Sequence, residues 1–160
     1  MRFSASVIQQ NSGAISGLVS RLVGLRDSVI VGVPEGVANN QGTSLSMIAA
    51  VHEFGGTIKV KNHHIKIPAR PFLVPALKQN RNKYGRILSS KASAILLGRM
   101  SIRQALELVG MAAEADVKAY IRNGTFTPLA AATIRRKKSS KPLIDTGQLR
   151  QSIRYQVVRQ

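Results

Sequence analysis

Seven carboxylates, three histidines and no cysteine are the scarce groups from which acid–base or metal chemistry would have to be built in this 160-residue chain. His52-Glu53 is the first place to look, since a His-Glu pair on a helix opens the zincin pattern. That pattern needs a second His one helical turn later, and position 56 is Gly. A His-Glu pair at a helix end before Gly55 reads instead as a surface or interface feature. His63 and His64 are adjacent, so on a strand they face opposite sides and share no ion; a turn suits them better. Glu114 and Asp116 stand two apart on a helical pattern, on different faces, and form no acid–base pair. Asp145, three residues before Gln148, reads as a helix cap rather than a catalytic carboxylate. No nucleophile elbow surrounds any serine. Gly55-Gly56 and the Gly32–Gly36 segment lack the lysine and spacing of a phosphate loop. Without Cys there is no disulfide framework, thiolate zinc site or thiol nucleophile. The chain reads as non-enzymatic, with no cofactor and no metal.

Charge is the strongest compositional signal. Twenty-four Lys and Arg against seven acids give a net charge of +17. Such a surface attracts polyanions and repels copies of itself unless the charges are partnered. Nucleic acid, an acidic protein surface and an anionic membrane are the possible counterparts. The densest run is Arg135-Arg136-Lys137-Lys138. As a solvated loop it needs no partner; as a contact to DNA or an acidic protein it would weaken steeply with salt. Aromatics make up 4% of the chain and Trp is absent, so single-strand stacking and base reading are not expected. The longest uncharged stretch, from Val37 to Val51, is rich in Asn, Gln, Ser and Gly, which excludes a membrane span. No apolar segment near the N-terminus resembles a secretory signal, so a cytoplasm-like setting is expected.

The elements that position these residues follow from periodicity. Val7, Ile8, Ile15, Leu18, Val19, Leu22 and Leu25 predict an amphipathic helix over about 6–25. Ser28–Val33 is a β-branched strand stopped by Pro34, followed by an exposed, mobile loop over 34–42. Thr43 or Ser44 caps a short helix ended by Gly55-Gly56. Thr57–Val60 and His64–Ile67 make a hairpin whose Ile and Val alternate with Lys59, Lys61 and Lys66, leaving one wet, basic face. A long helix is predicted from Phe72 to about Leu97, with Pro75 in its first turn. Leu73, Leu77, Tyr84, Ile87, Leu88 and Ile95 form its inner stripe. Ser101 and Gln104 form a capping box for a second long helix to Ile121, with Ile102, Leu106, Val109, Ala113, Val117 and Tyr120 inward. Asn123-Gly124 ends it through a left-handed glycine. A loop over 125–141, a short helix capped by Asp145, and a strand over Ile153–Val158 complete one α+β domain spanning residues 1–160. Its architecture is a small, mostly antiparallel sheet against two long helices plus the N-terminal helix.

Pro68-Ala69-Arg70-Pro71 is a rigid corner, because each proline fixes φ and biases the residue before it away from helix. It holds one arginine at its apex, directly before Phe72. Three segments then stand in order: Val51-His52-Glu53-Phe54-Gly55-Gly56, Ile67-Pro68-Ala69-Arg70-Pro71-Phe72-Leu73, and Pro142-Leu143-Ile144-Asp145-Thr146-Gly147-Gln148-Leu149-Arg150-Gln151-Ser152-Ile153. Together, over about two-thirds of the chain, they resemble the neck or tail-completion proteins of tailed bacteriophages. The nearest groups are the HK97 gp10-like tail components and the Mu-type virion morphogenesis proteins.

The resemblance implies a virion structural protein at the head-to-tail junction, made in the host cytoplasm and assembled as a ring around the axial DNA channel. Its partners would be copies of itself, other neck, connector and tail proteins, and encapsidated DNA; no membrane or small-molecule substrate is implied. His52, Glu53, Phe54, Gly55, Pro68, Arg70, Pro71, Phe72, Asp145, Thr146, Gly147 and Leu149 would be structural anchors or subunit contacts. Asp145 is expected to cap its own helix, and Arg70 to make a charged contact near a helix start. Three rival readings stand beside this one: a basic nucleic-acid-binding protein, a hydrolase for which no constellation exists, and a tail terminator or head-closure protein.

Overall fold

The computed structural model describes residues 27–60, 63–130, 133–135, 142–144 and 146–159. The helix expected over 6–25, Asp145 and Arg136–Lys138 lie outside them. The fold is α+β, with helices predominating and two small antiparallel sheets.

Strand β1 (Asp27–Gly32) pairs antiparallel with β4 (Arg154–Arg159), setting Val29 opposite Val157 and Val31 opposite Tyr155. Helix α1 (Leu45–Phe54) follows a loop and is capped by Ser44, whose hydroxyl accepts from the Met47 amide at 3.3 Å. That loop is closed rather than open: Asn39 Oδ1 accepts from the amides of Gln41 and Thr43, and Leu45 N donates to Val37 O. A side-chain carboxamide standing in for a turn carbonyl shapes this mostly exposed segment. Strands β2 (Gly56–Val60) and β3 (His63–Ile67) form the predicted hairpin, with Ile58 opposite Ile65.

The long helix predicted from Phe72 to Leu97 is divided. Helix α2 (Leu73–Gln79) ends at Asn80, and α3 (Arg81–Leu96) begins directly after it. Asn80 bends the chain by donating its side-chain amide back to Ala76 O at 2.9 Å, a local bond that competes with helix continuation. Helix α4 (Ile102–Asn123) carries the Ser101–Gln104 capping box and buries Ala105, Val109, Ala113, Val117 and Ile121. The stripe advances in steps of four, one position away from the expected Leu106 at its start. Gly124 follows with φ −67° and ψ 153°, not the left-handed conformation expected of it. Its glycine serves close approach instead: an added Cβ would lie 2.6 Å from Tyr120 O and 3.0 Å from the Phe126 ring.

The β1–β4 sheet lies on α4, and α2 and α3 pack beside it. Helix α5 (Gln148–Ser152) leads into β4. The core joins Phe72, Ala76, Val117, Ile121, Leu143, Leu149 and Ile153. Leu143 reaches it with φ 61°, a left-handed backbone that costs a non-glycine residue about 1–2 kcal/mol and is offset by burial of its side chain. The strands form two small antiparallel pairs, of which β1–β4 packs broadly on α4 and β2–β3 packs on no other element as broadly.

Candidate functional site

The three ordered segments of the sequence converge on one buried knot. Helix α2 starts at Leu73 with Phe72 at its N-cap and no side chain of its own to cap it. A helix start leaves four amide donors without internal acceptors. Here Glu53 reaches across from the end of α1: Oε2 accepts from Phe72 N at 2.8 Å and Leu73 N at 2.9 Å, and Oε1 from Val74 N at 3.0 Å. The fourth donor does not exist, because residue 75 is proline. The carboxylate is 7% exposed, and its charge sits against the positive end of the α2 dipole. Glu53 is therefore a buried cap in trans, a structural role rather than the surface or interface feature that the His-Glu pair alone suggests. Two signals pointed there: an acid at the unfavourable end of α1, and a helix start without a capping residue in Pro-Phe-Leu-Val-Pro.

Arg70 is 4% exposed and donates Nε to Thr127 O at 2.6 Å and Nη2 to Pro128 O at 2.9 Å. The charged contact expected near a helix start is thus a fork onto two backbone carbonyls of the segment after α4. Both carbonyls lie where the chain leaves helix and has no ladder to accept from. The Arg70 amide donates to His52 O at 2.7 Å, tying the proline corner to the end of α1. Between them Gly55 turns with φ 76°, and a Cβ there would stand 3.0 Å from Ala69 N. Pro68 and Pro71 are exposed and serve the backbone path, whereas Phe72 is fully buried in the core.

The third segment supplies Leu143, Leu149 and Ile153 to the same core. Gly147, at φ 79°, stands at the N-cap of α5 with no side-chain cap bond. The cap position thus belongs to Gly147, and the capping expected of Asp145 falls outside the described residues. Thr146 is exposed. A cleft of about 240 Å³ lies between the 39–41 loop, α1 and α5, with His52, Thr146 and Gln148 on its walls.

Asp116, Glu114 and Glu107 are engaged structurally. Lys83 Nζ meets both Asp116 oxygens at 2.7 and 3.0 Å, tying α3 to α4. Burial, and then the Asp116 carboxylate, push the Tyr84 phenol far above its usual range. Glu114 accepts from Lys118 Nζ at 2.6 Å and from Tyr155 N at 3.0 Å, linking α4 to β4. The Glu107 carboxylate, acting mainly by hydrogen bonding, raises the Tyr155 phenol. Among the described residues no group of three His, Asp or Glu side chains is placed to hold a metal ion, and no helix is long and apolar enough to cross a membrane.

Apolar surface is the second feature of the site. Phe54, the last residue of α1 and part of the first segment, is 78% exposed, with Met47 two helical turns before it also exposed. Ile58 and Ile65 pair across the adjoining hairpin, and Ile65 is 47% exposed. The apolar face of the hairpin is therefore partly open as well. Leu96 and Leu97 form another exposed apolar end, at the close of α3. Arg135 is exposed, and the rest of the 135–138 run lies outside the described residues. No known protein family, curated protein or solved structure matches this chain.

Proposed function

We propose that this chain is a non-enzymatic structural subunit of the phage head-to-tail junction, a neck or tail-completion protein that assembles as a ring around the axial DNA channel. The observation that carries the reading is Phe54. It belongs to a segment whose other members, Glu53 and Gly55, are locked into the knot, yet its ring is 78% exposed. A side chain held outward from a rigid base, beside an open Ile58–Ile65 face, has the character of a contact awaiting a neighbour. Apolar surface at a different place, Leu96 and Leu97, suits a heterologous contact in which one face of a subunit meets another face of the next. Such contacts close into rings when the rotation allows.

The order of the three segments supports the same reading, since all three meet at the structural knot. The net charge of +17 suits a protein whose assembly surrounds a polyanion, because each added copy would otherwise raise self-repulsion. The test is the mass of the purified full chain in solution, compared between wild type and Phe54→Lys. Wild type forms a closed ring and the variant is shifted to smaller species.

A further inference from the structure

We propose that an open cleft between α4 and α5 binds the phosphate backbone of a nucleic acid. The cleft encloses about 430 Å³ and is lined by Ala115, Lys118, Ala119, Arg122, Arg150 and Gln151. It shares no lining residue with the knot around Glu53. Two of the lining residues are alanines one helical turn apart on α4, small enough to let a ligand backbone approach the helix. Its rim is made of three cations contributed by two helices far apart in sequence.

The charges on that rim are not equivalent. Lys118 is held by Glu114 at 2.6 Å. Arg122 donates Nε only to the neutral Asn123 side chain, at 3.2 Å. Among the described residues neither Arg122 nor Arg150 lies within ion-pair distance of a carboxylate. Two guanidinium forks are therefore available, and a guanidinium fork matches two oxygens of one phosphate. An acidic segment of a second copy is a poor occupant. The chain has only seven acids, and Glu53, Glu114 and Asp116 are already bonded inside the fold. An anionic membrane is a poor one as well, because no large apolar side chain lines the cleft to enter the lipid. The lining also contains no aromatic residue, so bases find no stacking platform and recognition stops at the backbone, independent of sequence.

The test uses the full chain and a fluorescently labelled random-sequence DNA duplex, titrated over a series of salt concentrations. Each phosphate neutralised contributes about 0.9 to the slope of log K against log salt. The double variant R122Q/R150Q should flatten that slope by roughly 2 and weaken binding at least tenfold at low salt. The control R81Q/R86Q removes equal charge from exposed positions on α3 and should change the slope by less than half as much. R122K/R150K should keep the wild-type slope but bind several-fold more weakly, since lysine lacks the fork; it also decides the matter if the Gln pair does not fold. Equal effects of the cleft and control pairs, an unchanged affinity in the Lys pair, or no binding by wild type would each overturn the proposal. The assay is independent of ring formation, because the mass of each variant is measured beside its binding curve.

Discussion

Glu53 accepts three backbone amides at 2.8–3.0 Å while almost wholly buried, and this concentrates much of the fold's local stability in one carboxylate. Hydrogen bonds to a charged group contribute about 1.5–3 kcal/mol. Replacing Glu53 with Gln keeps the shape but turns an NH2 donor toward donors. The expected loss is about 2–3 kcal/mol in urea unfolding, and a loss under half a kilocalorie would show that the cap is not as described. Arg70 answers a different need, pinning the Thr127 and Pro128 carbonyls. Arg70→Ala leaves both acceptors unsatisfied beside a cavity, and should cost about 2–4 kcal/mol, lowering the yield of folded protein. Wild-type stability in that variant would contradict the role. The rigidity of the corner was legible in Pro68 and Pro71. The partners of Arg70 were not, because they are carbonyls 57 and 58 residues away, and backbone acceptors carry no side-chain signature.

At the scale of elements, α4 is the spine against which α3, β1 and β4 are placed. Its capping box and its end near Ile121 follow from local sequence, and the structure reproduces both to within two residues. The middle of the buried stripe, Val109, Ala113 and Val117, follows from periodicity; the break at Asn80 and the stripe's ends, Ala105 and Ile121 rather than Leu106 and Tyr120, do not, since they depend on what packs opposite. Gly110 shows the same lesson from the other side. In mid-helix, Ala is favoured over Gly by about 1 kcal/mol. Yet a Cβ at 110 would sit 2.2 Å from Cδ2 of Tyr155 on β4. Gly110→Ala should therefore destabilise by about 1–3 kcal/mol through overpacking. In a Tyr155→Ala background the same change should become neutral or stabilising. Thermal melts of the four proteins in this cycle check the sign, and additive effects would contradict the close approach of α4 and β4.

The whole molecule combines a tight knot with an unfinished surface. The α+β class, the order of elements and the hairpin were legible because periodicity and turn residues are local. The separation of the strands into two pairs was not, since pairing of β1 with β4 joins residues about 127 positions apart. The alternation of Ile58, Val60, Ile65 and Ile67 with lysines marks an apolar side of the hairpin, and the structure leaves Ile58 40% and Ile65 47% exposed there. That alternation is physically sensible if the covering surface comes from another subunit. The high positive charge opposes such packing at low salt and is screened at physiological ionic strength over roughly 8 Å. The most direct test is therefore native mass measurement of the purified full chain at about 0.15 M salt, where the Debye length is about 8 Å. The expected result is a closed ring, reduced to smaller species by Phe54→Lys. A monomer that persists at high concentration, with Phe54→Lys indistinguishable from wild type, would contradict it.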